Sequence, residues 1–285
     1  MLAGAAVASR RRLKRWYSLG GSAFQFATLR SDARKRILSL DQSSYRVGLE
    51  NESTREAWLK KALSELPAGA RLLDAGAGEC VHRKYCGHLQ YVSQDLAKYD
   101  GKGEVGLQMG SWDTSAIDIV SDITDIPAPD ASFDAILCSE VLEHITDASL
   151  ALEELARLLK PGGTLILTAP FCSFTHFAPY HYATGFSKYF YQHHLTRIGF
   201  DIVELVENGG FFEFTAMEVR MVEPMALRYA GAKLSILERF ALQIVLGMLE
   251  RFSAADKNSD ELLNYGIFVR ATKRPSTLTS VTSSS

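Results

Sequence analysis

The sequence predicts an α/β fold built on a doubly wound, mostly parallel sheet. Strand-length apolar runs alternate with amphipathic helical segments from about residue 70 to residue 210, as in sheets whose strands are joined by crossover helices. The first run ends in a turn with glycines at Gly76 and Gly78, where a ligand can approach bare backbone. Acidic residues follow the first three runs. These observations together predict a ligand site at the carboxyl ends of the strands.

The elements are predicted in order along the chain. A first helix covers 51–66, with Ser53 as its cap, and a second begins just after the glycine turn. Later helices are predicted at 147–160 and 187–198. The strands are predicted at 71–75, 90–96, 116–120, 132–139, 164–169, 200–206 and 264–272.

Composition limits the class of protein. With 285 residues, of which 47% are hydrophobic, the chain can bury one sizeable core. A formal net charge of -2 gives no reason to expect nucleic acid as a partner. The four cysteines show no C-x-x-C pairing, which favours reduced thiols and a cytoplasmic location. Apolar runs are too short for a membrane span.

Three regions are predicted. Residues 1–50 form a basic N-terminal extension, partly ordered at best, because the first 36 residues hold nine Lys or Arg against Asp32 alone. We interpret it as a solvated arm, with contact to an anionic membrane surface or to an acidic partner as the alternative. Residues 51–274 form the main domain, with a helical insertion at about 212–260. The Ser/Thr-rich residues 275–285 form a disordered tail.

The glycine turn does not match a dinucleotide site. A G-x-G-x-x-G motif needs a third glycine where the chain has Val81. Glu79 would also repel a pyrophosphate at a helix N-terminus. A ligand with an ammonium and a sulfonium group is a better electrostatic match to Asp74 and Glu79. A nicotinamide-dependent dehydrogenase is therefore the weaker alternative.

The segment Leu73-Asp-Ala-Gly-Ala-Gly78 resembles the first motif of the class I S-adenosylmethionine-dependent methyltransferases, and further matches follow in order to about residue 210. The resemblance implies a Rossmann-like, seven-stranded sheet whose last strand is antiparallel and lies beside the fifth. It also implies an enzyme of the small-molecule type with S-adenosyl-L-methionine as cofactor. A non-catalytic binding protein that keeps the cofactor pocket is a further alternative.

The cofactor residues are predicted at successive strand ends. Asp95 ends the second strand, where a carboxylate can accept both ribose hydroxyls. The resemblance implies that Asp122 and Ile123 hold the adenine, with Asp125 as the alternative acid. Asp74, Gly76 and Gly78 are predicted to hold the methionine part of the cofactor. The full predicted set is Asp74, Ala75, Gly76, Gly78, Asp95, Leu96, Asp122, Ile123 and Ser139.

The acceptor pocket is predicted after the fifth strand, where residues 170–185 are rich in aromatic side chains and histidine. Methyl transfer to oxygen or nitrogen requires positioning of the two reactants and removal of a proton. His176 and His181 are the predicted general bases, although either could simply pack within the loop.

Two features keep alternatives open. Glu140, Glu143 and His144 lie within one turn and could bind a divalent cation with His181 as a fourth ligand, but the prediction is a site without metal. Residues 223–253 form a long apolar helical stretch. We interpret this stretch as a cap over the acceptor pocket or a homodimer face, with peripheral membrane contact as the alternative.

Overall fold

The computed structural model describes residues 45–275 except Glu104. The predicted tail lies outside the described residues apart from its first position. So does the predicted N-terminal extension, apart from residues 45–50.

Seven strands form one sheet in the order β3-β2-β1-β4-β5-β7-β6. Strands β1 to β5 are parallel, and β7 is antiparallel to both of its neighbours. The fold class implied by the sequence is therefore confirmed, including the last strand beside the fifth. The strands are β1 (Arg71–Ala75), β2 (Gln90–Asp95), β3 (Ile119–Val120), β4 (Phe133–Ser139), β5 (Leu159–Pro170), β6 (Phe200–Asn208) and β7 (Gly266–Lys273).

Five α-helices are found in the described part of the chain: α1 (Asn51–Ser64), α2 (Ala148–Leu158), α3 (Lys188–Arg197), α4 (Phe211–Met225) and α5 (Ile236–Ser253). The long stretch predicted at 223–253 is interrupted, because a π-helical turn (Ala226–Ala230) separates α4 from α5. Glu50, and not Ser53, is the N-cap residue of α1. The Ser53 hydroxyl lies within the first turn and donates to Glu50.

The helix predicted directly after the glycine turn is absent. Residues 79–89 form turns and one 3₁₀ segment, Arg83–Tyr85, before β2 begins. Both Cys86 and Leu89 close these turns with backbone N–H donors. The connection between β1 and β2 therefore consists of short turns and holds no α-helix, so this prediction from the sequence is wrong.

The alternation of side chains along β1 decides which groups can face the site. Leu73 and Ala75 pack into the core layer that contains α2, whereas Leu72 packs into the layer that contains α1. Since successive strand residues point to opposite faces, Asp74 lies on the same face as Leu72. Its backbone reaches the carboxyl end of the sheet, but its side chain enters the interior.

The start of the described chain is held against α4 and α5. The Arg220 side chain on α4 donates to the carbonyls of Val47 and Tyr45. Glu250 on α5 accepts from the backbone N–H of Val47, and Glu213 on α4 accepts from Gly48. No helix between residues 45 and 275, Glu104 aside, has the length and apolar character needed to cross a bilayer.

Candidate active site

A cavity of about 320 Å³ opens at the carboxyl ends of β1 to β4. Its size falls at the lower end of the range for small-molecule sites. Its walls come from the glycine turn, the segments after β2, β3 and β4, and the loop after β5. The lining residues are Gly76, Gly78, Gln94, Asp95, Leu96, Lys98, Tyr99, Trp112, Asp122, Ile123, Glu140, Val141, His144, Ile145, Thr146, Phe177, Tyr180 and Tyr182.

Most of the predicted cofactor residues meet in this cavity. Those that line it are Gly76, Gly78, Asp95, Leu96, Asp122 and Ile123. Asp74, Ala75 and Ser139 do not, because each is directed into the sheet or is buried beneath it. Of the two predicted general bases, His176 and His181, neither lines the cavity, although both lie directly behind His144, which does.

Asp95 ties the end of β2 to the glycine turn. One carboxylate oxygen accepts from the backbone N–H of Gly78 at 3.0 Å, and the other accepts from Ala97 at 2.7 Å. Each oxygen has two lone pairs, so both can accept a further hydrogen bond from a ligand in the cavity. The carboxylate is thus held in a fixed position while part of its acceptor capacity stays open.

The segment after β3 supplies a polar group and an apolar one. Asp122 is exposed, and its carboxylate accepts from the backbone N–H and the hydroxyl of Thr124 at 2.9 and 2.8 Å. Ile123 is buried and lines the cavity beside it. Asp125, the alternative acid, is exposed and is not among the lining residues. A flat heteroaromatic ring with an exocyclic amine could donate a hydrogen bond to Asp122 and pack against Ile123.

Backbone hydrogen bonds hold the glycine turn in shape. The N–H groups of Gly76 and Ala77 both donate to the carbonyl of Gln94 at 2.8 Å. Gly76 and Gly78 have left-handed φ values of 75° and 52°. A side chain at either position would also collide with a neighbour. An added Cβ would stand 2.5 Å from Val141 at Gly76 and 2.5 Å from Trp112 at Gly78.

Asp74 occupies an unexpected environment. Its carboxylate is 2% exposed and accepts from the Tyr91 hydroxyl at 2.5 Å. Burial, offset in part by that hydrogen bond, raises the pKa of Asp74 to about 7. The side chain therefore braces β1 against β2 beneath the glycine turn.

Glu140 takes an unusual backbone conformation at the cavity wall. Its φ of 56° lies in the left-handed region, which is rare for a residue with a side chain and is often found at functional sites. One of its carboxylate oxygens accepts from Arg55 and the other from Thr168, both at 2.9 Å. Thr168 also bonds the Ser139 hydroxyl. Glu140 is thus anchored to α1 and β5, and its carboxylate is not part of the group of potential metal ligands formed by His144, His176 and His181.

Three aromatic rings form the opposite wall, and the sequence prediction missed two of them. Phe177 lies 4.4 Å from Tyr99 and 5.1 Å from Trp112 between ring centroids. Tyr99 and Trp112 belong to the long segment between β2 and β3, which carried no recognisable motif. That segment pairs with the loop after β5, since Leu107 donates to Thr175 and accepts from Phe177.

Three histidines cluster behind the aromatic wall. Ring centroids of His144 and His176 lie 4.7 Å apart, and those of His176 and His181 lie 4.9 Å apart. Burial, together with the neighbouring His176, lowers the pKa of His144 to about 3. Burial also lowers the pKa values of His176 and His181. The lowered pKa values favour the neutral imidazoles, which keep a lone pair that can bind a cation.

Glu143 lies beneath this cluster and is almost fully buried. Burial, reinforced by the nearby charge of Glu140, raises its pKa well above the usual range. Its backbone carbonyl accepts from the N–H groups of Tyr182 and Ala183. Glu143 therefore fixes the position of the loop after β5.

Part of the chain is similar to known methyltransferases. Residues 73–167 match a family model described as a methyltransferase domain. The chain is 34% identical over 102 residues to the demethylmenaquinone methyltransferase of Clavibacter sepedonicus, a match that covers 35% of this chain and 41% of that protein. It is 38% identical over 105 residues to the ubiquinone biosynthesis O-methyltransferase of Xanthomonas oryzae pv. oryzae (strain PXO99A), covering 35% and 43%.

The matched stretch thus spans less than half the length of either relative. Among solved structures, an S-adenosylmethionine-dependent methyltransferase from Archaeoglobus fulgidus superposes with a TM-score of 0.49 at 14% identity, covering 78% of this chain and 94% of that one.

Proposed function

We propose that this chain, a class I S-adenosylmethionine-dependent methyltransferase by its family match and its sheet topology, transfers a methyl group from S-adenosyl-L-methionine to a small-molecule acceptor. The observation that carries the proposal is the cavity at the ends of β1 to β4. There the predicted ribose acid, Asp95, and the predicted adenine pair, Asp122 and Ile123, line one continuous wall with the glycine turn.

The residues of this cavity fit the cofactor. Asp95 keeps acceptor capacity for ribose hydroxyls, and Asp122 beside the apolar Ile123 suits an adenine ring with its amino group. The two glycines leave the turn without side chains where the methionine part would pass. The carboxylates of Asp95 and Asp122 give the wall a negative potential, which favours a ligand carrying ammonium and sulfonium groups.

Asp74, Ala75 and Ser139, also predicted as cofactor residues, take a supporting role in this proposal. Asp74 and Ser139 hydrogen-bond to Tyr91 and Thr168 within the sheet. Ala75 packs in the core beside the turn. They would set the shape of the binding wall without contact to the ligand.

An aromatic, largely apolar acceptor fits the remaining space. The rings of Tyr99, Trp112 and Phe177 can stack on a flat acceptor and exclude water from it. One relative named above is a ubiquinone biosynthesis O-methyltransferase, which supports a ring hydroxyl of a quinone precursor as the acceptor atom. The other is a demethylmenaquinone methyltransferase, which supports a quinone-type acceptor.

The chain's own residues would position the acceptor and remove its proton. The cofactor supplies a methyl group that is already activated by a sulfonium centre. Within the histidine cluster, His144 faces the cavity directly, and His176 and His181 contact it from behind. The neutral imidazoles of His176 and His181 remain the proposed proton acceptors, with His144 as the group nearest the acceptor.

Titration calorimetry and product analysis test the proposal. We expect S-adenosyl-L-methionine to bind one site per chain, whereas NAD(H) and NADP(H) give no heat and no thermal shift. S-adenosylhomocysteine should accumulate when the protein is incubated with a panel of quinone precursors. Stabilisation by a nicotinamide cofactor would support the dehydrogenase alternative. Cofactor binding without turnover on any acceptor would favour the non-catalytic alternative.

We further propose a cytoplasmic protein with no nucleic-acid partner. The four cysteines are all free, which suits a reducing compartment. Exposed apolar side chains on α5 (Ile236, Leu237, Phe240, Ile244 and Met248) supply a surface for a second copy of the chain. A homodimer is favoured over a membrane here, because α5 holds only two basic residues, Arg239 and Arg251, and Arg239 is paired with Glu223.

A further inference from the structure

We propose that the imidazoles of His144, His176 and His181, with the carboxylate of Glu143, bind one divalent transition-metal ion that holds and activates the acceptor oxygen. This inference rests on the proposed function and refines it, since the histidines would act as ligands and not as bases. It differs from the site suggested by the sequence, because His176 takes the place of Glu140, whose carboxylate is held by Arg55 and Thr168 and lies outside the group of potential metal ligands.

The three histidines are close enough to share an ion. One ring nitrogen from each lies within 4.8 Å of the other two. A tetrahedral ion with bonds of about 2.0–2.1 Å needs ligand atoms about 3.3 Å apart. Small rotations of the rings would therefore complete the site. Imidazole ligands favour zinc, copper, nickel and iron over magnesium and calcium.

Two of the rings are already oriented as metal ligands. The Nδ1 atom of His144 lies 2.5 Å from the carbonyl oxygen of Tyr180, and that of His176 lies 2.8 Å from the carbonyl of Phe174. A carbonyl can only accept, so each Nδ1 carries the proton and each Nε2 presents a lone pair. A backbone partner behind a histidine is the usual arrangement around protein-bound metals.

The buried polar groups of the cluster are short of partners, and a cation would supply one. Glu143 is 1% exposed, and its Oε2 atom has no hydrogen-bond partner among the residues described. Its Oε1 atom lies 3.6 Å from Nε2 of His144 and 3.9 Å from Nε2 of His176. Neither ring nitrogen of His181 has a partner in the described structure. Buried polar groups without partners are costly, so the arrangement points to a ligand.

The position of the cluster indicates what the ion would do. Of the four ligands only His144 lines the cavity, where it is a neighbour of Tyr180, so an ion bound by it would lie at the cavity wall on the acceptor side. An acceptor hydroxyl that binds the ion has a lowered pKa and loses its proton to water. The oxygen then attacks the methyl carbon. The new C–O bond forms as the C–S bond breaks, and the bonding pair stays on sulfur.

Metal binding by the full chain tests this inference. The protein is stripped with a chelator and dialysed against Co²⁺ or Zn²⁺, and bound metal is measured by elemental analysis and by the visible spectrum of Co²⁺. We expect one ion per chain for the wild type. The affinity should fall at least tenfold in His181→Ala and in His176→Asn, and stay unchanged in His193→Ala, which removes an exposed histidine on α3.

Two results would overturn the site. The first is a wild-type protein that binds no stoichiometric metal, and the second is equal metal affinity in the wild type and both cluster variants. Calorimetry with S-adenosyl-L-methionine on the same metal-free sample separates this failure from failure of the proposed function. Cofactor binding without metal binding would leave the methyltransferase proposal standing. Loss of both would remove it as well.

Discussion

The two halves of the cavity are built in different ways. The cofactor half consists of the glycine turn, Asp95, Asp122 and Ile123, all placed by the ends of adjacent parallel strands. The acceptor half consists of Tyr99, Trp112, Phe177 and the histidine cluster, which come from separate loops. In the first half the sheet fixes the positions, whereas in the second the loops fix one another. A substitution in the cofactor half should therefore disturb only its immediate contacts. A substitution in the acceptor half should also shift the neighbouring loops.

The largest expected effect is at Asp95. In Asp95→Ala the two ribose hydrogen bonds to a carboxylate are lost, at about 1.5–3 kcal/mol each, so the affinity for S-adenosyl-L-methionine should fall by roughly 10²–10⁴-fold. Titration calorimetry measures the affinity, and circular dichroism checks that the fold is retained. The control Asp125→Ala removes an exposed acid outside the cavity and should bind normally. Unchanged affinity in Asp95→Ala would remove this residue from the site.

The second effect is a pH dependence of stability at Asp74. Burial raises its pKa to about 7 from an ordinary value near 3.8, so the native state holds a proton that the unfolded chain has lost. Its contribution to the free energy of unfolding is present below about pH 4 and is lost as the pH rises through about 7. In Asp74→Asn this loss, on the order of 4 kcal/mol, should disappear.

Urea titrations at several pH values measure this difference. The free energy of unfolding of Asp74→Asn should fall less between pH 4 and pH 8 than that of the wild type. Asn can still accept from the Tyr91 hydroxyl, so the packing of β1 on β2 is kept. The prediction is contradicted if the free energy of unfolding changes with pH equally in the two proteins. Asp74 would then already be charged in the native state.

The contrast between the halves also explains what the sequence could predict. An apolar run followed by a polar residue marks the end of a strand in the sequence. Asp95 and Asp122 could therefore be placed from local pattern alone. The side-chain direction of Asp74 could have been found in the same way, because alternation along β1 puts it on the face opposite Leu73. The sequence prediction used its position and not its direction.

Trp112 and Tyr99 could not be found by such means. They reach the cavity because the segment between β2 and β3 pairs with the loop after β5, a contact between residues far apart in the chain. The helix predicted after Gly78 is also missing. Local pattern allowed a helix there, but residues 79–89 form short turns and one 3₁₀ segment instead.

The third effect is expected at Gly78, where the cofactor half of the cavity contacts the acceptor half. In Gly78→Ala the left-handed backbone, with φ of 52°, costs about 1–2 kcal/mol, and the new Cβ would stand 2.5 Å from the Trp112 ring. We expect roughly tenfold weaker cofactor binding in addition to the lower stability, as measured by calorimetry and urea titration. Gly69→Ala is a matched control, since Gly69 has φ of 80° with no atom near its Cβ position. Equal binding by both variants would mean that Trp112 moves freely and that the halves are not coupled.

The smallest effect on folding is expected at the apolar face of α5, which contributes no residue to the lining of the cavity. Leu237 is 76% exposed, so Leu237→Ser should change the free energy of unfolding by less than about 0.5 kcal/mol. If a second copy covers this face, sedimentation of the wild type should depend on concentration, whereas Leu237→Ser and Phe240→Ser remain monomeric at the same concentrations. Val203→Ser, which alters an exposed residue on β6, serves as the control and should associate like the wild type. A wild type that stays monomeric but sediments with anionic vesicles, and loses that binding in the α5 variants, would assign the face to a membrane instead.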